Sequence, residues 1–196
     1  MGIKILVAYT TNSGSTEDVA KELAAQLSQA GHQADVRRLS EVSGLESYQA
    51  VVIGAPMILG WHREAEQFLK KNQTILSHKK VALFATAMSL TDLGETFGEG
   101  LSLHLDPGLA AKAHNPRFLS IKERYTCVSN YIRPMIKSAP AVKPVSVAFF
   151  GGKLELFRLN WWQVLFVMLV VRAKPGDFRN WDFIKQWGAT LSTQLG

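Results

Sequence analysis

The chain of 196 residues has one cysteine, Cys127, so it cannot close an internal disulfide. That excludes a disulfide-stapled secreted scaffold and fits a reducing compartment. Nothing in the neighbourhood of Cys127 would activate a thiol, and it reads as a small buried hydrophobe. The most apolar stretch, residues 161–171, is eleven residues long, well short of the ~20 needed to cross a bilayer. No Gly-Lys-Ser/Thr is present to make a Walker A loop, and no GxGxxG to make a dinucleotide fingerprint. His32, His78, His104 and His114 are scattered, no pair has metal-ligand spacing, and no metal site is expected. The opening Met1-Gly2-Ile3-Lys4-Ile5-Leu6 is too short for a signal peptide, and Leu6 stands where a myristoylation motif wants Ser or Thr. No motif for base-specific nucleic-acid recognition is present.

What remains is an ordinary globular composition, 47% hydrophobic and 19% charged, with a net charge of +6. One domain over 1–196 is expected from the length, with enough chain to bury a full core. The basic residues form no single stripe. Lys70-Lys71 and Lys79-Lys80 flank a loop, Arg37-Arg38 ends an early strand, and most read as a solvated face.

Residues 3–9 (IKILVAY) are β-rich and almost wholly apolar, as a strand covered on both faces should be. After a polar loop, Val19, Ala20, Leu23, Ala24 and Leu27 recur at helical spacing, with acids in the first turn and Gly31 as the stop. Further strands are predicted at 33–38, 50–55, 80–87 and 145–150, with Pro56 ending the third. Helices are predicted at 63–76 and about 178–194, and residues 39–48 have room for one turn. Alternating strands and helices predict an α/β fold, a parallel sheet with helices on both faces. Two stretches exceed the minimal pattern. Residues 88–142 should hold a helix around 120–138 with Ile121, Tyr125, Val128, Ile132 and Ile136 on one face. Residues 151–176 separate the fifth strand from the last helix.

The loop Thr10-Thr11-Asn12-Ser13-Gly14-Ser15-Thr16 lies between a buried strand and a helix start. Helix N-terminal amides and the macrodipole make that junction an anion site. Five hydroxyls in seven residues exceed what a cap needs. Without Lys or Arg, the loop suits a phosphate monoester held by neutral donors, with Gly14 allowing close backbone approach.

Strand and loop together, IKILVAYTTNSGSTEDVA, resemble the first-strand signature of the flavodoxin family. The resemblance covers nearly the whole chain. It implies a flavodoxin-like sheet of five strands in the order 2-1-3-4-5, with FMN bound at the switch point and its phosphate on Thr10 to Thr16. A second loop, Pro56-Met57-Ile58-Leu59-Gly60-Trp61, would then run beside the flavin ring, and a third, Thr86-Ala87-Met88-Ser89, would touch its edge. Three features resemble the branch of that family that oxidises protoporphyrinogen IX with menaquinone: Gly60-Trp61-His62 before a helix, the Phe150-Gly151-Gly152-Lys153-Leu154 turn, and an apolar, basic insert leading to Pro175-Gly176-Asp177. That branch implies an FMN-dependent oxidoreductase acting on a porphyrinogen with a quinone acceptor. Alternatives are a flavodoxin-type electron carrier that docks on redox proteins, a general quinone reductase, and a module that has lost its flavin. A basic chain is unlike the acidic carriers, and its electrostatic steering would be reversed.

Residues 161–171 (WWQVLFVMLVV) carry a Trp pair and lie between Arg158 and Arg172. The stretch suits contact with a membrane interface, and equally a core segment or a homodimer contact. The expected location is the cytoplasm, with peripheral attachment at the inner membrane face through 161–171. Flavin chemistry belongs mainly to the cofactor, so no catalytic triad is expected. His62 is the candidate acid or base, and equally a capping residue at a helix start.

Overall fold

The structure is a computed structural model and describes residues 2–57, 60–97, 100–154 and 176–196. Residues 161–171, Ile58 and Leu59 lie outside the described residues. In chain order the elements are β1 (Lys4–Tyr9), α1 (Ser15–Gln29), β2 (Gln33–Arg38), a 3-10 turn (Leu39–Glu41), β3 (Ala50–Pro56), α2 (Arg63–Leu76), β4 (Lys80–Ala87), β5 (Leu90–Asp92), β6 (Ser102–Leu105) and β7 (Ala110–Lys112). There follow α3 (Ile121–Thr126), α4 (Val128–Ser138), β8 (Ser146–Gly151), β9 (Lys153–Leu154), β10 (Gly176–Asp177) and α5 (Trp181–Leu195).

The main sheet is parallel throughout, in the order β2-β1-β3-β4-β8-β6. Its first five strands are the predicted 2-1-3-4-5 arrangement. The sheet has six strands rather than five, because β6 adds an edge beside β8, with Ser102 opposite Ser146 and Leu105 opposite Phe149. Its sequence, SLHL, is short, half-buried and free of β-branched residues, so it lacks the composition that marks a strand. Pro56 is the last residue of β3, opposite Thr86, rather than a stop before it. The next amide, on Met57, donates to the Thr86 carbonyl, so the ladder continues past the missing N–H.

The central strands are buried along their length, except for Lys80 at the start of β4, as their nearly unbroken apolar runs require. One face is covered by α1 and α5, whose Leu23, Leu27, Ile184, Trp187 and Leu191 pack on Ile5, Val7, Phe84 and Phe150. The other is covered by α2 and α4, which bring Leu69, Leu76, Tyr131, Ile132 and Met135 against Leu6, Ile53, Leu83 and Phe149. Each such Leu or Ile contributes about 1.5–3 kcal/mol by leaving water.

The helix expected over 120–138 is two helices. Cys127 takes φ −58°, ψ 138° and forms a bridge with Thr91, which breaks the helical ladder. Helix α3 therefore does not share α4's inward face. Val128 and Ile132 are buried and Ile136 half-buried, whereas Ile121 and Tyr125 stand in solvent. Cys127 is buried, and burial raises its thiol pKa.

Candidate functional site

The carboxyl ends of β1, β3 and β4 bring three loops together, at the point where neighbouring strands are followed by helices on opposite faces. In the first loop the chain leaves β1 at Tyr9, and the Thr10 amide donates to the Gly54 carbonyl at 3.0 Å. The Gly14 amide donates to Thr11 Oγ1 at 2.8 Å. Gly14 itself has φ 91°, the left-handed region that favours glycine. This turn delivers the chain into α1 with no side-chain cap. The N–H groups of Ser15, Thr16 and Glu17 consequently have no intrahelical acceptor. By contrast α2, α3 and α5 are capped by His62, Ser120 and Asn180.

Two acids in the first turn of α1 would oppose an anion there, and both are answered by cations. Glu17 pairs with Lys21 at 2.7 Å and Arg38 at 3.0 Å, and the bond from Lys21 is the chief reason its pKa falls. Asp18 pairs with Arg179 at 2.7 Å. The guanidinium of Arg179, 8% exposed, also binds Asp177 and lies 4.6 Å from the Trp181 ring centroid.

The hydroxyls of this loop are not equivalent. Thr10 Oγ1 donates to Glu64 Oε2 in the first turn of α2, so that hydroxyl is not free to donate to a phosphate as the sequence reading expects. Thr16 is fully buried, and its Oγ1 lies 2.9 Å from Thr86 Oγ1. Thr16 thus fastens the first loop to the third. Thr11, Ser13 and Gly14 are half-buried and Asn12 is exposed, while Ser15 is buried.

In the second loop, Pro56, Met57 and Trp61 are buried, and Met57 and Trp61 form a bridge that closes the turn. Gly60 adopts φ 126°. Trp61 belongs to the α2/α4-side core, yet its Nε1 finds no partner among the described residues. His62 is the N-cap of α2, with Nδ1 accepting from the Glu64 amide at 3.3 Å. That bond requires Nδ1 unprotonated and leaves Nε2 as the other ring position. In the third loop Thr86 and Ala87 are buried, and Met88 and Ser89 are half-exposed. The Ala87 carbonyl accepts from the Gly152 amide at 2.9 Å.

Sequence reasoning missed two supports. Glu64 reads only as a helix-surface acid. Asp106 sits in Asp-Pro-Gly, a turn signal, but it is fully buried. It accepts from the Gly108 amide at 2.9 Å, Asn180 Nδ2 at 3.2 Å and the Gly151 amide at 3.2 Å. It thereby ties the end of β6 to the turn after β8 and to the cap of α5. Beside the third loop runs a groove of about 520 Å³, lined by Ser89, Leu90, Thr91, Lys112, Phe118 and Lys122 among others. No cluster of His, Cys, Asp or Glu able to hold a metal occurs among the described residues.

A doubly covered parallel sheet with an uncapped, glycine-turned helix start after its first strand defines a fold class, and the family comparison agrees. The flavodoxin domain family matches residues 6–180, and the chain belongs to that family. Among characterised relatives it is similar to protoporphyrinogen IX dehydrogenase [quinone] of Escherichia coli K12, with 24% identity over 178 residues, 89% of this chain and 82% of that protein. Among solved structures it resembles oxidised flavodoxin 1 of Bacillus cereus, at TM-score 0.53 and 13% identity over 98% of this chain and 99% of that one. It also resembles the rubredoxin oxygen:oxidoreductase of Desulfovibrio gigas, at TM-score 0.52 and 12% identity over 98% of this chain. It spans 36% of that longer protein. These structural likenesses concern the fold.

Proposed function

We propose that this chain is an FMN-dependent oxidoreductase that oxidises a porphyrinogen, protoporphyrinogen IX in the first instance, and passes the electrons to a quinone. The observation that carries the FMN assignment is the uncapped start of α1. Its first-turn amides, the Gly14 turn and the neighbouring Thr11 hydroxyl match a phosphate monoester in charge and donor chemistry. In this reading residues 10–16 hold the phosphate, with Asn12 at the exposed lip. Of the second loop, Pro56, Met57, Gly60 and Trp61 would line the ring, and residues 86–89 would hold its edge. Trp61 Nε1, which has no partner among the described residues, would be a donor in that loop. The match to protoporphyrinogen IX dehydrogenase supports the substrate class.

FMN, when bound, supplies the acceptance and release of the electron pair. The protein's part is to seat the phosphate, keep three loops in register through Thr16–Thr86 and Met57–Thr86, and manage protons. His62 is assigned the proton role, through Nε2, while Nδ1 keeps α2 capped. Asn caps helices well, so His62→Asn separates the two duties. Turnover should fall with stability retained, and unchanged turnover would reduce His62 to a cap.

The test of the whole reading is a visible spectrum with added FMN, then anaerobic protoporphyrinogen IX, then a menaquinone analogue. Bound flavin should bleach with the first and recover with the second. Flavin that ignores both would favour an electron carrier or another reductase. An absence of flavin binding would refute the FMN assignment. Gly14→Ala forces a non-glycine residue into a left-handed conformation at a cost of about 1–2 kcal/mol, and should weaken FMN binding about tenfold.

A further inference from the structure

Along the sequence the basic residues look dispersed, but the excess is not. Residues 107–145 hold seven basic side chains, Lys112, Arg117, Lys122, Arg124, Arg133, Lys137 and Lys143, and one acid, Glu123. Elsewhere the chain has fifteen of each sign, so this one segment carries the whole net charge of +6. All seven side chains are exposed. Four acids lie among or beside them: Asp92, opposite Lys112 in the β5–β7 pair, accepts from the Gly94 amide, Glu66 lines a groove with Lys137, and Glu123 and Glu95 are engaged locally. Glu123 accepts from Ser120 and the His114 amide, and Glu95 accepts from the Ser129 amide.

The same segment displays the largest apolar groups left in water. Among the described residues the most exposed large hydrophobics are Phe118 at 80%, Ile121 at 73% and Tyr125 at 61%. Ile121 and Tyr125 are four apart on α3 and share a face. Lys122 and Arg124 flank them, and Phe118 stands just before the helix. These side chains are not displayed by a loose end. A capping box of Ser120 and Glu123 fixes the start of α3. At its other end the Thr126 and Thr91 hydroxyls meet at 2.8 Å in a buried contact.

We infer that this face docks on an anionic lipid bilayer, with Phe118, Ile121 and Tyr125 entering the headgroup region and the surrounding Lys and Arg held at the phosphate plane. The occupant is identified by chemistry. A protruding Phe, Ile and Tyr in a basic ring is the combination that inserts at an interface and is retained by surface charge. Thr91, which anchors α3, is two residues beyond Ser89 in the third loop. The 520 Å³ groove joins that loop to Phe118 and Lys122. Docking here therefore sets the third loop at the lipid surface. The surface is separate from residues 161–171, and the inference stands whether or not the chain binds a flavin.

The test is co-sedimentation of the full chain with vesicles of phosphatidylcholine alone or with 30% phosphatidylglycerol. We expect strong preference for the anionic vesicles and loss of binding in 0.5 M NaCl. Each basic residue at such a surface is worth about fivefold in partition, equivalent to ~1 kcal/mol. Lys112→Gln, Lys122→Gln and Arg124→Gln together should thus lower binding about a hundredfold. Phe118→Ser, Ile121→Ser and Tyr125→Ser together should lower it at least tenfold. All six side chains are exposed, so both variants should keep the parent melting temperature. The inference is overturned if the native chain binds neither vesicle or both equally, or if both variants bind like the native chain. Capture on immobilised polyglutamate without vesicle binding would assign the face to an acidic protein, and would also overturn it.

Discussion

The contact between Thr16 and Thr86 offers a direct measurement of how firmly the first and third loops are joined. Both side chains are buried, at 0% and 4% exposure, and their hydroxyls lie 2.9 Å apart. Thr16→Val keeps the branched shape but strands the Thr86 hydroxyl away from water. The lost bond is worth about 1 kcal/mol and the stranded group costs about 1–3 kcal/mol. The single variant should therefore lose about 2 kcal/mol, and Thr86→Val should behave alike. In the double variant both hydroxyls are gone and nothing is stranded, so stability should return to within ~1 kcal/mol of the parent. The coupling is then about 3–4 kcal/mol, at or just beyond the upper end for residues in contact. For a chain of this size each 1 kcal/mol moves Tm by about 2–4 °C. Each single variant should melt about 4–8 °C lower, and the double variant no more than ~4 °C lower. Urea titration of all four proteins at constant m-value gives the cycle. Additive losses in the double variant would show that the two hydroxyls do not depend on each other.

Three further outcomes are expected. At Gly54 an added Cβ would lie 1.9 Å from Phe84 Cζ, and that ring is fully buried among Phe150 and Trp187. Gly54→Ala should cost at least about 1–3 kcal/mol by overpacking, whereas an unchanged urea midpoint would mean the core yields freely. Glu123, held by the Ser120 hydroxyl and then by the His114 and Ser120 amides, has its pKa pushed down to about 2. The capping box should accordingly be intact above ~4.3, the unfolded value, and weaken as pH falls toward 2. A carboxyl NMR titration with a midpoint near 4.3 would contradict it. Burial lowers the pKa of His104, and its Nε2 has no partner among the described residues. Stability should be full above ~6.5 and decline as pH drops through that value toward the lower folded pKa. His104→Gln should flatten the decline, measurable by urea midpoints between pH 5 and 8.

The strands most legible in the sequence are those buried on both faces. IKILVAY, AVVIGA and KVALFATA announce themselves because nearly every position is apolar, and their observed bounds differ from the expected ones by at most one residue. Edge strand β6 escaped because one side is bare, so its sequence answers to solvent as much as to the sheet. The break at Cys127 escaped for another reason. Helical periodicity runs straight through it, and the force that interrupts the helix is the pairing with Thr91, 36 positions earlier. At the candidate site the polar turn between β1 and α1 was legible as a turn because it is local, one strand end and one helix start. The partners of its side chains were not, since Glu64, Thr86 and Arg179 reach it from three other elements. The same locality explains why His62 read as both acid/base and cap, two roles that share one ring.

The pairing of Gly176 with Leu154 and of Asp177 with Lys153 bears on how this family can diversify. The β9–β10 pair is a small antiparallel sheet of its own beside the main one, so the 21 residues between its strands begin and end at one fixed doorway. Phe178 and Gly152, whose amide and carbonyl meet at 3.0 Å, form its frame. A Cβ at Gly151 would strike the Phe178 carbonyl at 1.9 Å, so the frame tolerates little change. What passes through it can be exchanged, because lengthening or shortening a closed excursion changes its entropy only logarithmically. Changes of length or sequence between residues 154 and 176 can then leave the main sheet and the turn at Gly14 untouched.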